Sequence, residues 1–160
     1  IKYFMANKTG TLDKNNFQLN GARAKFIVDT IVKATGDGDG SVFYLGDPLP
    51  SNAVIHRITY ENDALTGATD VDLGFYDTVS AGATVISKDC LLDGATLASA
   101  SSGFGANGFT KPAIANKHKQ IWELAGLTVD PKKLLQTSLT FNTAGSATGD
   151  IRILIEYTVL

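Results

Sequence analysis

Five side chains in this sequence carry groups that catalysis commonly uses. His56 and His118 are its two histidines, Cys90 is its single cysteine, and Asp70 and Asp72 are carboxylates two residues apart. Either histidine could act as the base for a nucleophile, which would be Cys90 or a serine. The two aspartates, about 7 Å apart on one face of a strand, suit acid–base chemistry or a divalent ion. The chain has no G-x-S-x-G nucleophile elbow, and neither a histidine nor a paired glutamate adjoins the aspartates.

We therefore interpret these five residues as structural. His56 is expected at the edge of the core, His118 at the surface, and Cys90 as a small buried hydrophobic residue. Asp70 and Asp72 are expected on a solvated strand face. The prediction is that the protein is not an enzyme and has no catalytic residues, no bound cofactor and no metal site.

One aspartate-rich loop resembles the start of a calcium-binding loop. Asp37 and Asp39 alternate with glycines, but positions 6 and 12 of an EF-hand loop would hold Val42 and Pro48 instead of Gly and Glu. The loop is therefore not an EF-hand. A weak cation site formed by Asp37 and Asp39 together with Asp47 stays open.

Residues 103–108 match the phosphate-binding pattern G-x-G-x-x-G by their letters alone. That motif works when a strand precedes it and a helix N-terminus follows it, because the helix N-terminus attracts the phosphate. Serines precede this segment and Pro112 follows it closely. We predict a flexible loop over residues 101–110.

Composition restricts the class of protein. A chain of 160 residues with 44% hydrophobic residues and a net charge of −2 fits one folded domain without a concentrated basic face for nucleic acid. Asp outnumbers Glu 13 to 3, which argues against a helix-rich fold because Asp prefers turns and caps. The longest uncharged run, residues 94–110, is rich in Ser and Gly and is not expected to cross a membrane. Since residue 1 is not Met, the sequence leaves open whether residues precede Ile1.

Short apolar segments separated by turn residues run along most of the chain. Strands are predicted at residues 17–19, 24–33, 41–46, 54–61, 70–77, 83–87, 137–142 and 150–159. The last of these alternates Ile151, Ile153 and Ile155 with other residues, and its length indicates a central strand. A helix is predicted over residues 117–125, ended by Gly126, and a helical turn around Cys90.

About eight strands without βαβ alternation predict an all-β fold, an antiparallel β-sandwich of jelly-roll type with one or two short helices. Residues 16–160 are predicted to form this single domain, and residues 1–15 an extended N-terminal arm. Within the arm, Ile1, Tyr3, Phe4 and Met5 are candidates for contact with a partner, because an apolar arm is unfavourable in water. The alternative is a terminal strand packed on its own domain.

Two further sets of residues suggest binding surfaces. A modest basic patch, which suits an acidic protein surface or simply a solvated face, comprises Lys111, Lys117, Lys119, Lys132 and Lys133. Exposed aromatic residues would line a carbohydrate-binding platform, and the candidates are Tyr44, Tyr60, Tyr76 and Trp122. We favour Trp122 as a residue that fills the core, because it lies beside Leu124 in the predicted helix.

Residues 121–131, IWELAGLTVDP, resemble a W-E-L-A-G-L-x-x-D-P segment of small virion proteins from tailed phages. In those proteins two C-terminal strands follow, and LTF at 139–141 and the strand at 151–159 occupy those places here. Similar segments upstream are LPSNAVI at 49–55, DLGFYD at 72–77 and LLDG at 91–94. The resemblance spans roughly residues 24–159, leaves the arm outside, and transfers no catalytic residues.

The resemblance implies a non-enzymatic bacteriophage structural protein that decorates or cements the capsid as a homo-oligomer, with a trimer favoured. The implied partners are the major capsid protein or other virion subunits, and neither nucleic acid nor a membrane is expected. The implied location is the virion, after synthesis in the host cytoplasm, with capsid and tail positions both open. The alternative hypothesis is a carbohydrate-binding β-sandwich of a fibre or tail protein.

Overall fold

A computed structural model describes residues 24–160, apart from the side chain of Phe104. Strands make up nearly all of the regular secondary structure of the described chain: β1 Lys25–Lys33, β2 Ser41–Tyr44, β3 Leu49–Pro50, β4 Ala53–Asn62, β5 Asp70–Asp77, β6 Val85–Ala95, β7 Ser101–Asn107, β8 Leu134–Thr143 and β9 Gly149–Val159. One short helix, α1 Ile121–Leu124, and two 3-10 turns, Val79–Ala81 and Ile114–Asn116, complete the secondary structure. The predicted all-β class is confirmed. The arm and the boundary between residues 15 and 16 lie outside the described residues.

The strands form two antiparallel sheets packed face to face. Sheet A has the order β1-β9-β4-β7, and sheet B has the order β2-β8-β5-β6 with the short β3 also paired to β8. With β3 set aside, the first strand pairs with the last, the second with the next to last, and so on inward: β1 with β9, β2 with β8, β4 with β7, and β5 with β6. This nested pairing of eight strands is the jelly roll that the sequence predicts.

Alternating side chains from both sheets form one hydrophobic core. In β9, Ile151, Ile153 and Ile155 point inward and are buried, and β9 lies between β1 and β4, so the predicted central strand is confirmed. From sheet B, Leu139 and Phe141 of β8 join the same cluster.

A β-bulge in β4 places His56 at the surface and not at the edge of the core, where the sequence predicts it. The register against β9 shifts between Ile55 and Arg57, so His56 is the extra residue of the bulge and its side chain is exposed. Ile55 and Ile58 both enter the core although they are three residues apart. The prediction that His56 borders the core is wrong, because a bulge breaks the alternation on which the prediction rested.

Two local predictions between residues 87 and 110 are also wrong. Cys90 lies within the continuous strand β6 and not in a helical turn, and residues 101–107 form strand β7 instead of a flexible loop. Two of the three glycines of the G-x-G-x-x-G match, Gly105 and Gly108, allow this segment to lie close to β4, whereas a Cβ at Gly103 would meet nothing within 4 Å. A Cβ at Gly105 would lie 2.5 Å from the Tyr60 carbonyl oxygen, and one at Gly108 would lie 2.7 Å from the Ile58 side chain.

The predicted helix exists but is shorter than expected. It covers Ile121–Leu124, because Gln120 is extended and forms a bridge with Val54. Gly126 ends the helix at φ +77° as predicted, and the amide of Leu127 donates to the Trp122 carbonyl at 3.0 Å. Ile121 is fully buried whereas Trp122 is half-buried, so Trp122 is not the core residue.

Candidate interaction surface

The residues with catalytic chemistry are dispersed. His56, in sheet A, is exposed, and its Nε2 lies 3.0 Å from the Thr158 hydroxyl; His118 is exposed in the loop before α1. Cys90 is buried in sheet B, and burial raises the pKa of its thiol to about 12, which keeps it protonated at neutral pH. The expectations for His118 and Cys90 are confirmed. The structure does not assemble a nucleophile and a base from these residues.

Asp70 and Asp72 belong to a polar cluster on sheet B. The side-chain amide of Asn142 donates to both, at 3.0 and 2.6 Å, and the Gly94 amide donates to Asp72 at 2.9 Å. Lys88 Nζ lies 3.6 Å from Asp72, which is 2% exposed. The predicted solvated face is therefore wrong for Asp72, because Lys88, Gly94 and Asn142 surround its carboxylate. Its hydrogen bonds hold strands together.

The aspartates of the candidate cation loop already have backbone partners. Asp37 accepts a hydrogen bond from the Ala34 amide at 2.8 Å, and Asp39 accepts one from the Ala144 amide at 2.8 Å. Within residues 24–160 no group of three or more His, Cys, Asp and Glu side chains is placed to hold a metal. The loop aspartates stabilise turns.

The lysines of the basic patch mostly have local partners. Lys111 pairs with Asp89 and Asp93 of β6, and Lys133 pairs with Asp77. Lys117 donates to the Phe109 carbonyl at 2.6 Å. These contacts divide the patch into separate interactions.

The aromatic candidates for a carbohydrate platform do not converge. Tyr44 packs edge-on against Tyr76 at 6.0 Å between ring centroids, and Tyr76 is buried with its hydroxyl 2.9 Å from that of Thr140. Tyr60 belongs to sheet A, and Trp122 donates from Nε1 to the Gln120 side chain at 2.6 Å. Only Tyr44 and Tyr76 of this set are in contact.

The most exposed apolar strand face lies on β1, an edge strand of sheet A. Phe26, Val28 and Val32 are 57%, 54% and 60% exposed, whereas Ile27 on the opposite side of the strand is buried. Exposed apolar side chains in a column are costly in water and mark a contact surface. Apolar residues occur on both sides of this strand, so the sequence pattern alone does not distinguish the core side from the solvent side.

This column continues across sheet A as three rows of paired residues. From β1 through β9 to β4 the rows are Phe26–Glu156–Arg57, Val28–Leu154–Thr59 and Thr30–Arg152–Glu61. Arg57 and Glu156 form an ion pair at 3.4 Å, and Arg152 and Glu61 form another at 3.5 Å. We call these nine residues, together with Val32, the outer face of sheet A. It has an apolar middle row between two rows that each contain one positive and one negative charge.

A shallow groove of about 250 Å³ crosses this face over Leu154, lined also by Gly103 of β7. By contrast, the cavity enclosed between the two sheets measures about 10 Å³, room for about one water molecule. No helix of the described residues is long and apolar enough to cross a membrane.

The described chain is thus a jelly-roll sandwich with an exposed apolar column on the edge strand β1. Its fold is similar to two solved structures. A chain of the cyanophage Pam1 capsid asymmetric unit is 21% identical, with 88% of each chain covered and a TM-score of 0.54. A chain of the capsid of Ralstonia phage GP4 is 14% identical, with 88% of this chain and 86% of that chain covered and a TM-score of 0.42. At 21% identity the first likeness establishes a shared fold. No family model and no curated protein matches the sequence.

Proposed function

We propose that this protein is a non-enzymatic structural component of a bacteriophage virion, which decorates or cements the capsid through protein–protein contacts. The observation that carries the proposal is the fold shared with a chain of the Pam1 capsid asymmetric unit over 88% of both chains. The proposed partners are the major capsid protein or other virion subunits, and the proposed location is the mature particle.

The surface of the protein supports a contact role. The column of Phe26, Val28 and Val32 gives an apolar area that a neighbouring subunit would remove from water, whereas the cavity between the two sheets of the described residues measures only about 10 Å³. A subunit repeated over a shell needs only modest affinity at each contact, because many contacts act together.

The N-terminal arm supplies a second contact in this proposal. Ile1, Tyr3, Phe4 and Met5 would insert between neighbouring virion subunits, with each buried apolar side chain contributing about 1.5–3 kcal/mol. The homo-oligomer, and the trimer that the sequence resemblance favours, stay predictions.

A rebinding experiment tests the proposal. Particles of the phage that carries the gene, prepared without this protein, are mixed with the purified full chain or with a variant that lacks residues 1–15. The full chain is expected to sediment with the particles. The shortened chain is expected to bind at least about tenfold more weakly, because the arm's apolar contacts are lost.

Thermal unfolding of both proteins provides the control, and equal midpoints are expected. Failure of the full chain to bind contradicts the virion role, whereas equal occupancy by the shortened chain contradicts only the role of the arm. Binding in a glycan screen, read by Trp122 fluorescence, together with no particle binding would favour the carbohydrate-binding alternative.

A further inference from the structure

The charges on the outer face of sheet A are arranged so that the face is complementary to itself. The row above the apolar middle row carries Glu156 on β9 and Arg57 on β4, and the row below carries the opposite signs on the same strands, Arg152 and Glu61. The sign of the charge therefore reverses on each strand across the middle row.

A twofold axis along the middle row would place opposite charges of two copies face to face. Rotation about the line Val28–Leu154–Thr59 turns a second copy face to face and exchanges its upper and lower rows. Arg57 then lies opposite Glu61 of the second copy, and Glu156 lies opposite Arg152. Since Arg57 and Glu61 are four residues apart on β4, each lies about 7 Å from the axis.

The same rotation brings the apolar residues together. Val28 meets Val28 of the second copy and Leu154 meets Leu154, whereas Phe26 packs over Thr30. Stacked sheets lie about 10 Å apart, a separation that arginine and glutamate side chains can span from the two sides. The strands of the two copies run antiparallel because the axis is perpendicular to them, and the same residues face each other from both sides, as in an isologous contact.

We propose that the outer face of sheet A binds the same face of a second copy of this chain, forming a twofold dimer. This names the surface for the homo-oligomer of the proposed function, but it does not depend on a virion role. A face that contacts itself closes on two chains, so a trimer built through this face is excluded.

The charge pattern indicates that the partner of this face is a second copy of this chain. A random partner would have to match two arginines and two glutamates in a fixed order, whereas a second copy matches all four at once. The intrachain pairs Arg57–Glu156 and Arg152–Glu61 become a network of alternating signs across the dimer, and the two charged rows flank the apolar middle row at the centre of the contact.

The test uses two charge variants of the full chain. In the acidic variant, Arg57→Glu and Arg152→Glu make all four charges of the face negative; in the basic variant, Glu61→Arg and Glu156→Arg make all four positive. The unmodified chain is expected to have twice the mass of the 16.9 kDa chain by light scattering. Each variant alone is expected to be monomeric, and an equal mixture is expected to recover the dimer mass.

A control variant, Lys119→Glu with Lys132→Glu, changes the net charge as the acidic variant does but away from this face, and it is expected to remain a dimer. Thermal unfolding verifies that each variant is folded, which we expect because all four side chains reach solvent: the arginines are 60% and 57% exposed, and Glu156 and Glu61 are 27% and 30% exposed. A monomeric or trimeric unmodified chain overturns the proposal. A mixture of the two charge variants that stays monomeric also overturns it. The same holds for a dimer that is lost on deletion of residues 1–15 but is kept in both charge variants.

Discussion

Gly74→Ala is expected to lower the free energy of unfolding by about 3 kcal/mol or more, because the added methyl group would overlap the backbone of β6. Gly74 lies in β5 where the start of β6 passes over the sheet. A Cβ there would lie 2.1 Å from the Ser87 carbonyl oxygen and 2.4 Å from the Lys88 carbonyl carbon. Both are backbone atoms, so β6 would have to move away from β5. Urea unfolding followed by Trp122 fluorescence measures the change.

Gly36→Ala is the matched control for this substitution. A Cβ at Gly36 meets nothing within 4 Å, and its φ lies outside the left-handed region. This variant is expected to stay within about 0.5 kcal/mol of the unmodified chain or to gain slightly, because alanine restricts the unfolded chain. Equal urea midpoints for Gly74→Ala and Gly36→Ala would contradict the close packing of residues 87–88 of β6 against Gly74 of β5.

Lys33→Ala is expected to destabilise the fold by about 3 kcal/mol, since it removes both hydrogen bonds and buried volume. Lys33 ends β1, and its side chain is fully buried. Its ammonium group donates to the carbonyls of Gly145 and Ala147 at 3.0 and 3.1 Å and to that of Ala34 at 3.4 Å. It also lies 6.0 Å from the centre of the Phe141 ring. The lysine therefore joins the edge strand to the turn between β8 and β9.

Lys25→Ala provides the comparison, because Lys25 lies on the same strand and the same side as Lys33 but is exposed. It is expected to change stability by less than about 0.5 kcal/mol. Lys33→Met, which keeps the apolar stem but lacks the ammonium donor, is expected to fall between the two alanine variants. If Lys33→Ala and Lys25→Ala unfold at the same urea concentration, the buried position of Lys33 is contradicted.

The sequence predicted those features that depend on a regular pattern. Ile151, Ile153 and Ile155 alternate without interruption, and they identified β9 as a central strand of a β-sandwich. Gly126 marked the end of the helix correctly, because the residue after a C-cap often needs positive φ.

Other features depend on contacts between distant segments, which a local pattern does not contain. The bulge at His56 changes which residues of β4 enter the core. Asp72 is buried because Lys88, Gly94 and Asn142, from other strands, surround its carboxylate. The glycines at 103–108 favour a loop by composition, yet Gly105 and Gly108 allow this segment to approach β4 closely. The contact face was missed because Val28 and Leu154 become neighbours only through strand pairing.

Counting copies of this protein in purified particles tests the proposed structural role on the phage capsid. Quantitative mass spectrometry would compare peptides of this chain with those of the major capsid subunit. A constant ratio set by the capsid lattice is expected, with the protein present over the whole shell. A handful of copies per particle would contradict capsid decoration, and absence of the protein from the particles would contradict a virion role.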